Sequence, residues 1–208
     1  MRMTGIAQPF RYEKQLRAQH PEITAIAGID EVGRGPLAGP VVVAAVILPE
    51  HFDLPVNDSK KLSEHQRDEL AAAIKATPGV RYVIAQRTAA EVDRMNILRA
   101  TQDAMREAAR RIEAQWALVD GKGFEPFPIP ATFIVKGDAN SASIAAASIL
   151  AKTTRDAWMT ELDQRFPGYG FARHKGYGTA EHLAALNRLG PCPEHRRSFG
   201  PVAQPTLF

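Results

Sequence analysis

Apolar residues along the chain recur with two different periods. Residues 23–29 and 41–48 are continuous, largely β-branched runs bounded by Gly and Pro, the pattern of buried strands. Gly33-Arg34-Gly35-Pro36 between them reads as a turn, so the two runs can pair as a hairpin. Residues 11–20 read as a short amphipathic helix ending near Pro21. Ser63 followed by Gln66 predicts a capping box for a helix running to about Ala76, where Pro78-Gly79 stops it. Residues 81–86 are the next strand. Residues 91–113 read as mostly helical, with Met95, Leu98, Met105, Ala109 and Ile112 forming one buried stripe. Residues 116–119 and 132–135 are strands on either side of a Gly- and Pro-containing loop. From Ile144 to about Leu162 the pattern is a long helix whose first half is small or apolar on every side, hence buried. An aromatic, Gly-containing stretch at 166–177 precedes a last helix at 179–189. Strands and helices alternate, so the expected architecture is α/β, a mixed sheet flanked by helices.

Composition narrows the class. With 45% hydrophobic and 24% charged residues, the 208-residue chain has an ordinary globular balance, unlike disordered, collagenous or coiled-coil proteins. That length suits one domain, and no repeat or linker divides it. The longest apolar stretch, 40–49, is too short to cross a bilayer, and residues 1–10 lack the apolar core of a secretory signal. Cys192, the single cysteine, has no partner for a disulfide and no companions for a zinc site, so it reads as inert in a reducing, cytoplasmic compartment. A monomer is expected.

The net charge of +3 is only a weak pointer to polyanions, but its distribution says more. Lys60-Lys61, Arg173-His174-Lys175 and His195-Arg196-Arg197 cluster near Gly, Pro and Ser rather than on helix faces. Each cluster alone could be ordinary solvated charge; together they point to phosphate, with His174 and His195 as possible contacts. The remaining four histidines read as surface residues.

The candidate chemistry lies in acids at strand ends. Asp30 and Glu31 end the first strand, Asp120 ends the strand at 116–119, and Asp138 follows the strand at 132–135. Sites in open α/β sheets form at the carboxyl ends of strands, and acids gathered there repel one another unless a cation lies between them. Magnesium takes oxygen ligands, usually one or two carboxylates with substrate phosphate. The alternative is that each acid caps a turn, as the pair Asp120-Gly121 would. Because neighbouring strand residues face opposite ways, the strand should end or bend at Asp30-Glu31. The motifs of zincins, P-loop NTPases and α/β-hydrolases are absent.

The run Gly28-Ile29-Asp30-Glu31-Val32-Gly33-Arg34-Gly35-Pro36-Leu37-Ala38-Gly39-Pro40 strongly resembles the signature of the bacterial ribonuclease HII family. Further blocks resemble that family in order: Asp58-Ser59-Lys60-Lys61-Leu62, Val119-Asp120-Gly121, Lys136-Gly137-Asp138, residues 146–152, Arg155-Asp156, residues 174–179 and residues 195–199. The resemblance, over about residues 12–202, implies a ribonuclease H-like fold with a mixed five-stranded sheet and helices on both sides. It implies that Asp30, Glu31, Asp120 and Asp138 bind Mg2+ or Mn2+, two ions during catalysis. The implied substrates are RNA·DNA hybrid and duplex DNA carrying a single ribonucleotide, cut on its 5′ side to leave 3′-hydroxyl and 5′-phosphate ends. By the same resemblance Gly33, Arg34 and Gly35 read the 2′-hydroxyl and Tyr177 packs on the sugar; a packing aromatic is the alternative for Tyr177. Lys60, Lys61, Ser148, Lys152 and Arg173 are candidates for phosphate contact, although Ser148 and Lys152, four apart on a buried helix, could equally be structural. A related nuclease acting on DNA alone and a hybrid-binding module without catalysis are the competing functions.

The whole of 1–208 is thus expected to be one catalytic domain with a flexible tail at 203–208. Gln204-Pro205-Thr206-Leu207-Phe208 resembles the short peptide by which bacterial replication and repair proteins dock on the sliding clamp. The alternative is that Leu207 and Phe208 fold back on the domain.

Overall fold

The computed structural model describes residues 10–56 and 62–203. Lys60, Lys61 and the clamp-like tail Gln204–Phe208 lie outside the described residues. Five strands, β1 Ile26–Val32, β2 Val41–Ile47, β3 Arg81–Arg87, β4 Trp116–Asp120 and β5 Ala131–Ile134, form one mixed sheet in the order β3-β2-β1-β4-β5. β1 runs parallel to β4, in register from Ile26 with Trp116 to Ile29 with Val119, and β4 runs parallel to β5. The expected α/β class and five-stranded mixed sheet are therefore present.

By backbone proximity the chain divides into two compact units. The first comprises Met1–Glu31, Val43–Ala85 and Met105–Thr153. Helix α1, Arg11–Gln19, packs there through Leu16 against Ile23, Ile26, Leu118, Ile134 and Ile144. Helix α2, Glu64–Ala76, starts at the predicted reciprocal capping box of Ser63 and Gln66. Gly28 on β1 lies so close to helix α5, Ala142–Arg165, that an added Cβ would stand 2.0 Å from the carbonyl carbon of Ser143. Only glycine permits that approach. Glu13 of α1 supports the same helix start, its carboxylate accepting bonds from both hydroxyls of Ser141 and Ser143, at 2.6 and 2.7 Å, and from the Ser143 amide.

The second unit comprises Val32–Val42, Gln86–Ala104 and Thr154–Phe208. Its core gathers Ala38, Met159, Leu162, Tyr169, Phe171, Ala185 and Cys192. The expected single helical stretch at 91–113 is two helices, α3 Ala89–Met95 and α4 Ile97–Arg111. Asn96 breaks it with a positive φ of 66°, and its side chain accepts the amide of Arg99. The break changes the helical phase, so Leu98 is 53% exposed and does not join the buried stripe. Met105, Ala109 and Ile112 do. After α5 come a short turn of helix α6, Phe171–His174, then α7, Ala180–Leu189, capped by Thr179, and α8, Gly200–Ala203. No helix among the described residues is long and apolar enough to cross a membrane.

Candidate active site

In the first unit, β1 does not end at Asp30-Glu31 but continues through both acids to Val32. Strand alternation instead leaves Asp30 buried, at 6% exposure, and Glu31 half-buried. Burial is the main force on Asp30, lifting its carboxyl from the ordinary 3.8 to about 8. The negative charges of Glu31 and Asp120 push the same way, while hydrogen bonds from the Ser148 hydroxyl and the Glu31 amide act against them. Ser148 of α5 is thereby placed beside the acids.

Asp120 ends β4, where it pairs in register with Ile134. Its Oδ1 accepts the amide of Gly137 at 2.6 Å. Gly137 opens a single 3-10 turn, Gly137–Ala139, entered through Lys136 in the left-handed region at φ 59°. Asp138, the next residue, is half-buried on that turn, so the fourth acid is tied to the third through one backbone bond. Among the described residues, no three acids, histidines or cysteines converge tightly enough to hold a metal ion without further ligands.

In the second unit, two arginines organise the loop at 33–40: Arg155, named above only within a family block, and Arg196, expected in a phosphate-facing cluster but turned inward onto backbone carbonyls. Arg155 and Arg196 are both fully buried. Arg155 donates to the carbonyls of Pro40, Ala38 and Lys175 at 2.9, 3.0 and 2.9 Å. Arg196 donates to those of Gly33, Arg34 and Gly39 at 2.6, 3.1 and 3.0 Å. Burial lowers their pKa values to about 10 and about 9, and both stay charged at neutral pH. Gly33 has a φ of +90°, and a Cβ there would lie 2.3 Å from Arg155 Nε, so the position requires glycine on two counts. The Arg34 and Gly35 positions are exposed, and a Cβ at Gly35 would stand 3.7 Å from the ring of Tyr177. Arg155 lies seven positions after Ser148 on α5, a spacing that could have signalled an inward-facing charge.

Tyr177 is 44% exposed. Lys152 is half-buried on α5. Arg173 is exposed and ion-paired with Glu181, which raises the pKa of the arginine and lowers that of the acid. His174 and His195 do not face solvent as phosphate contacts would: they are 9% and 1% exposed. His182, read as a surface residue, is fully buried beside them. The aromatic residues at 169–171 draw these rings inward, Phe171 meeting His182 edge-on at 5.5 Å. The cluster at 195–197 is thus split, His195 and Arg196 inward and Arg197 outward. Cys192 is buried and burial pushes its thiol pKa up, which suits the expected inertness.

A family model described as ribonuclease HII matches residues 27–202. Ribonuclease HII of Geobacillus kaustophilus is 54% identical over 197 residues, covering 93% of this chain and 74% of the relative. That of Dechloromonas aromatica is 56% identical over 182 residues, covering 86% of this chain and 92% of the relative. Among solved structures, ribonuclease HII of Archaeoglobus fulgidus, in a complex with PCNA, superposes with a TM-score of 0.73 at 28% identity, over 88% of this chain and 98% of that one. Ribonuclease H2 of Pyrococcus horikoshii does so with a TM-score of 0.71 at 29% identity, over 86% and 96%. A ribonuclease HIII in complex with Mn2+, 20% identical with a TM-score of 0.73, shares the fold. The match spans the acids, the 33–40 loop and Tyr177, and with more than half of each relative aligned, the chain belongs to the ribonuclease HII family, metal-dependent endoribonucleases that hydrolyse RNA paired to DNA.

Proposed function

We propose that this enzyme also cuts duplex DNA on the 5′ side of a single embedded ribonucleotide, leaving 3′-hydroxyl and 5′-phosphate ends, and that Asp30, Glu31, Asp120 and Asp138 hold its divalent cations. The observation that carries the reading is the Asp30 carboxyl, buried against the charges of Glu31 and Asp120 and lifted to about 8. Such a group is costly to ionise until a cation joins it. The donor set is all oxygen, which suits Mg2+ or Mn2+, and the Mn2+ complex of the ribonuclease HIII relative is in keeping with it. Since no three acids among the described residues form an ion cage by themselves, substrate phosphate is expected to complete the coordination, as is usual for magnesium. Held by Asp30, Glu31, Asp120 and Asp138, two such ions would supply the Lewis acidity that activates water and stabilises a leaving 3′ oxygen.

The chain's own residues supply position and selection. Gly33, Arg34 and Gly35 read the 2′-hydroxyl, the group that distinguishes RNA from DNA. The pinned carbonyls of Gly33 and Arg34 support this, since a loop held by a buried guanidinium is set before substrate arrives. Tyr177 packs its exposed ring on the sugar. Ser148 orients Asp30, and Lys152, Arg173, Lys60 and Lys61 contact phosphate.

On this reading residues 1–208 act as one catalytic domain, monomeric and cytoplasmic, and the tail Gln204-Pro205-Thr206-Leu207-Phe208 docks on the bacterial sliding clamp. The PCNA complex of the Archaeoglobus fulgidus relative supports a clamp partner. The test incubates the protein with Mg2+ and three duplexes: all DNA, DNA with one ribonucleotide, and RNA·DNA. Cleavage of the second and third, with the stated ends, is expected; cleavage of all-DNA duplex, or inertness towards the single ribonucleotide, overturns the proposal. Clamp binding by the intact chain and by one ending at Ala203 tests the tail.

A further inference from the structure

Beneath Tyr177 lies a chain of buried hydrogen bonds that ends on its own carbonyl. The Cys192 amide donates to His195 Nδ1 at 3.0 Å, so that nitrogen carries a lone pair. Cys192 Sγ lies 3.1 Å from the same atom. A neutral His195 then bears its proton on Nε2, which stands 3.0 Å from His182 Nε2 and donates to it. His182 must in turn bear its proton on Nδ1, 2.9 Å from the carbonyl oxygen of Tyr177. Each tautomer follows from the one before, starting at a backbone amide whose role is fixed.

The same loop is bracketed elsewhere. The Tyr177 amide donates to the His174 carbonyl and the Thr179 amide to the Tyr177 carbonyl, at 2.9 and 2.8 Å. His174 Nδ1 accepts the Gly176 amide at 3.2 Å, leaving its Nε2–H to donate to the Tyr169 carbonyl at 2.8 Å. The rings of His174 and His182 stack with centroids 4.5 Å apart.

We propose that His182 is a positioning residue for Tyr177, acting with His195 as a neutral relay that sets the tyrosine's backbone for contact with the substrate sugar. The proposal rests on the reading of Tyr177 as a sugar contact. Neutrality is what the relay requires: a second proton on His182 would oppose one N–H to another across the His182–His195 contact, and one on His195 would oppose the Cys192 amide at Nδ1. Burial first, then the mutual proximity of the histidines, holds His195 down at about 4 and lowers His182. The titratable and charged groups around the pair are His174, Tyr169, Tyr177, Cys192, Glu194 and Arg197.

Nitrogen NMR of the histidine rings in the unmodified protein at neutral pH reads the tautomers directly. The relay predicts the proton of His182 on Nδ1 and those of His195 and His174 on Nε2; a His182 protonated on Nε2 overturns it. The functional test is a double-mutant cycle on cleavage at a single ribonucleotide. His182→Leu should lower kcat/KM about five- to tenfold, the worth of one buried hydrogen bond. In a Tyr177→Ala background the same change should alter the rate less than about twofold, because the two act as one unit. His182→Asn places an amide N–H where Nδ1–H stood and should restore most of the rate. An additive cycle, a silent His182→Leu, or an Asn variant as impaired as Leu at equal thermal stability overturns the relay while leaving Tyr177 in its role. A silent Tyr177→Ala instead overturns the reading of Tyr177 and the relay's purpose with it. Should the leucine variant fail to fold, the ring tautomers and the asparagine variant decide.

Discussion

The amide of Gly137 donates to Oδ1 of Asp120 at 2.6 Å, joining the turn after β5 to the end of β4. Through this bond the backbone of one acid-bearing segment is held by the side chain of another, and Asp138 follows one residue later.

Asn in place of Asp120 keeps an Oδ1 acceptor for the Gly137 amide but removes the charge. Asp120→Asn and Asp138→Asn should therefore fold normally, with melting temperatures near that of the parent. Cleavage should fall on the order of 10²–10³-fold, the usual loss when one fixed electrostatic group is removed from a reaction centre. Paired rate and melting measurements check this. Normal turnover by either variant removes that residue from the ion-holding set.

Asp30 makes stability depend on pH in a particular direction. Its folded pKa, about 8, lies above the ordinary 3.8, so the folded state keeps a proton that the unfolded chain releases. The stability contributed by neutral Asp30 is complete below about pH 4 and is lost progressively as pH rises to about 8. In chelator, Asp30→Asn should thus out-melt the parent near pH 8 and match it near pH 4. Adding Mg2+ or Mn2+ at pH 8 should raise the melting temperature of the parent more than that of the variant. Equal gains would place the ion elsewhere.

Arg196 and Arg197 are neighbours with opposite fates, the first fully buried on three loop carbonyls and the second exposed. Arg196→Met leaves those carbonyls without donors and should cost about 3 kcal/mol or more of folding stability. Arg197→Met should stay within about 0.5 kcal/mol of the parent. Denaturant unfolding of the two variants measures the difference, and comparable losses would contradict the pinning of the loop by Arg196.

Tyr177 exposes 44% of its surface, so little packing is lost when its ring is removed. Tyr177→Ala should change unfolding free energy by under about 0.5 kcal/mol yet slow cleavage at a single ribonucleotide about tenfold or more. Lost stability with unchanged specific activity would make it a packing residue.

Much of the fold is legible along the chain because it rests on local rules. Ser63 and Gln66 announce their helix start through bonds within one turn, and the apolar runs of β1 and β2 announce buried strands. The break at Asn96 leaves no mark in the apolar pattern, because the residues around it keep a helical spacing. The capping box of Thr88 with Glu91 and the Asn96 bond to Arg99 carry the true boundaries.

The α/β alternation, the order of acids at strand ends and the blocks that mark the family can all be read along the chain, since each depends on residue type at fixed spacing. Which charged groups turn inward depends instead on contacts made across the fold. Nothing beside them in the sequence separates Arg155, Arg196, His182 and His195 from solvated residues. Their burial depends on carbonyls of the 33–40 loop and of Tyr177, and on ring partners, all supplied by other segments. Arg196 meets Gly33 across 163 positions. A polar side chain goes inside only where its hydrogen bonds are met there, and a partner so distant leaves no local signal of that exchange.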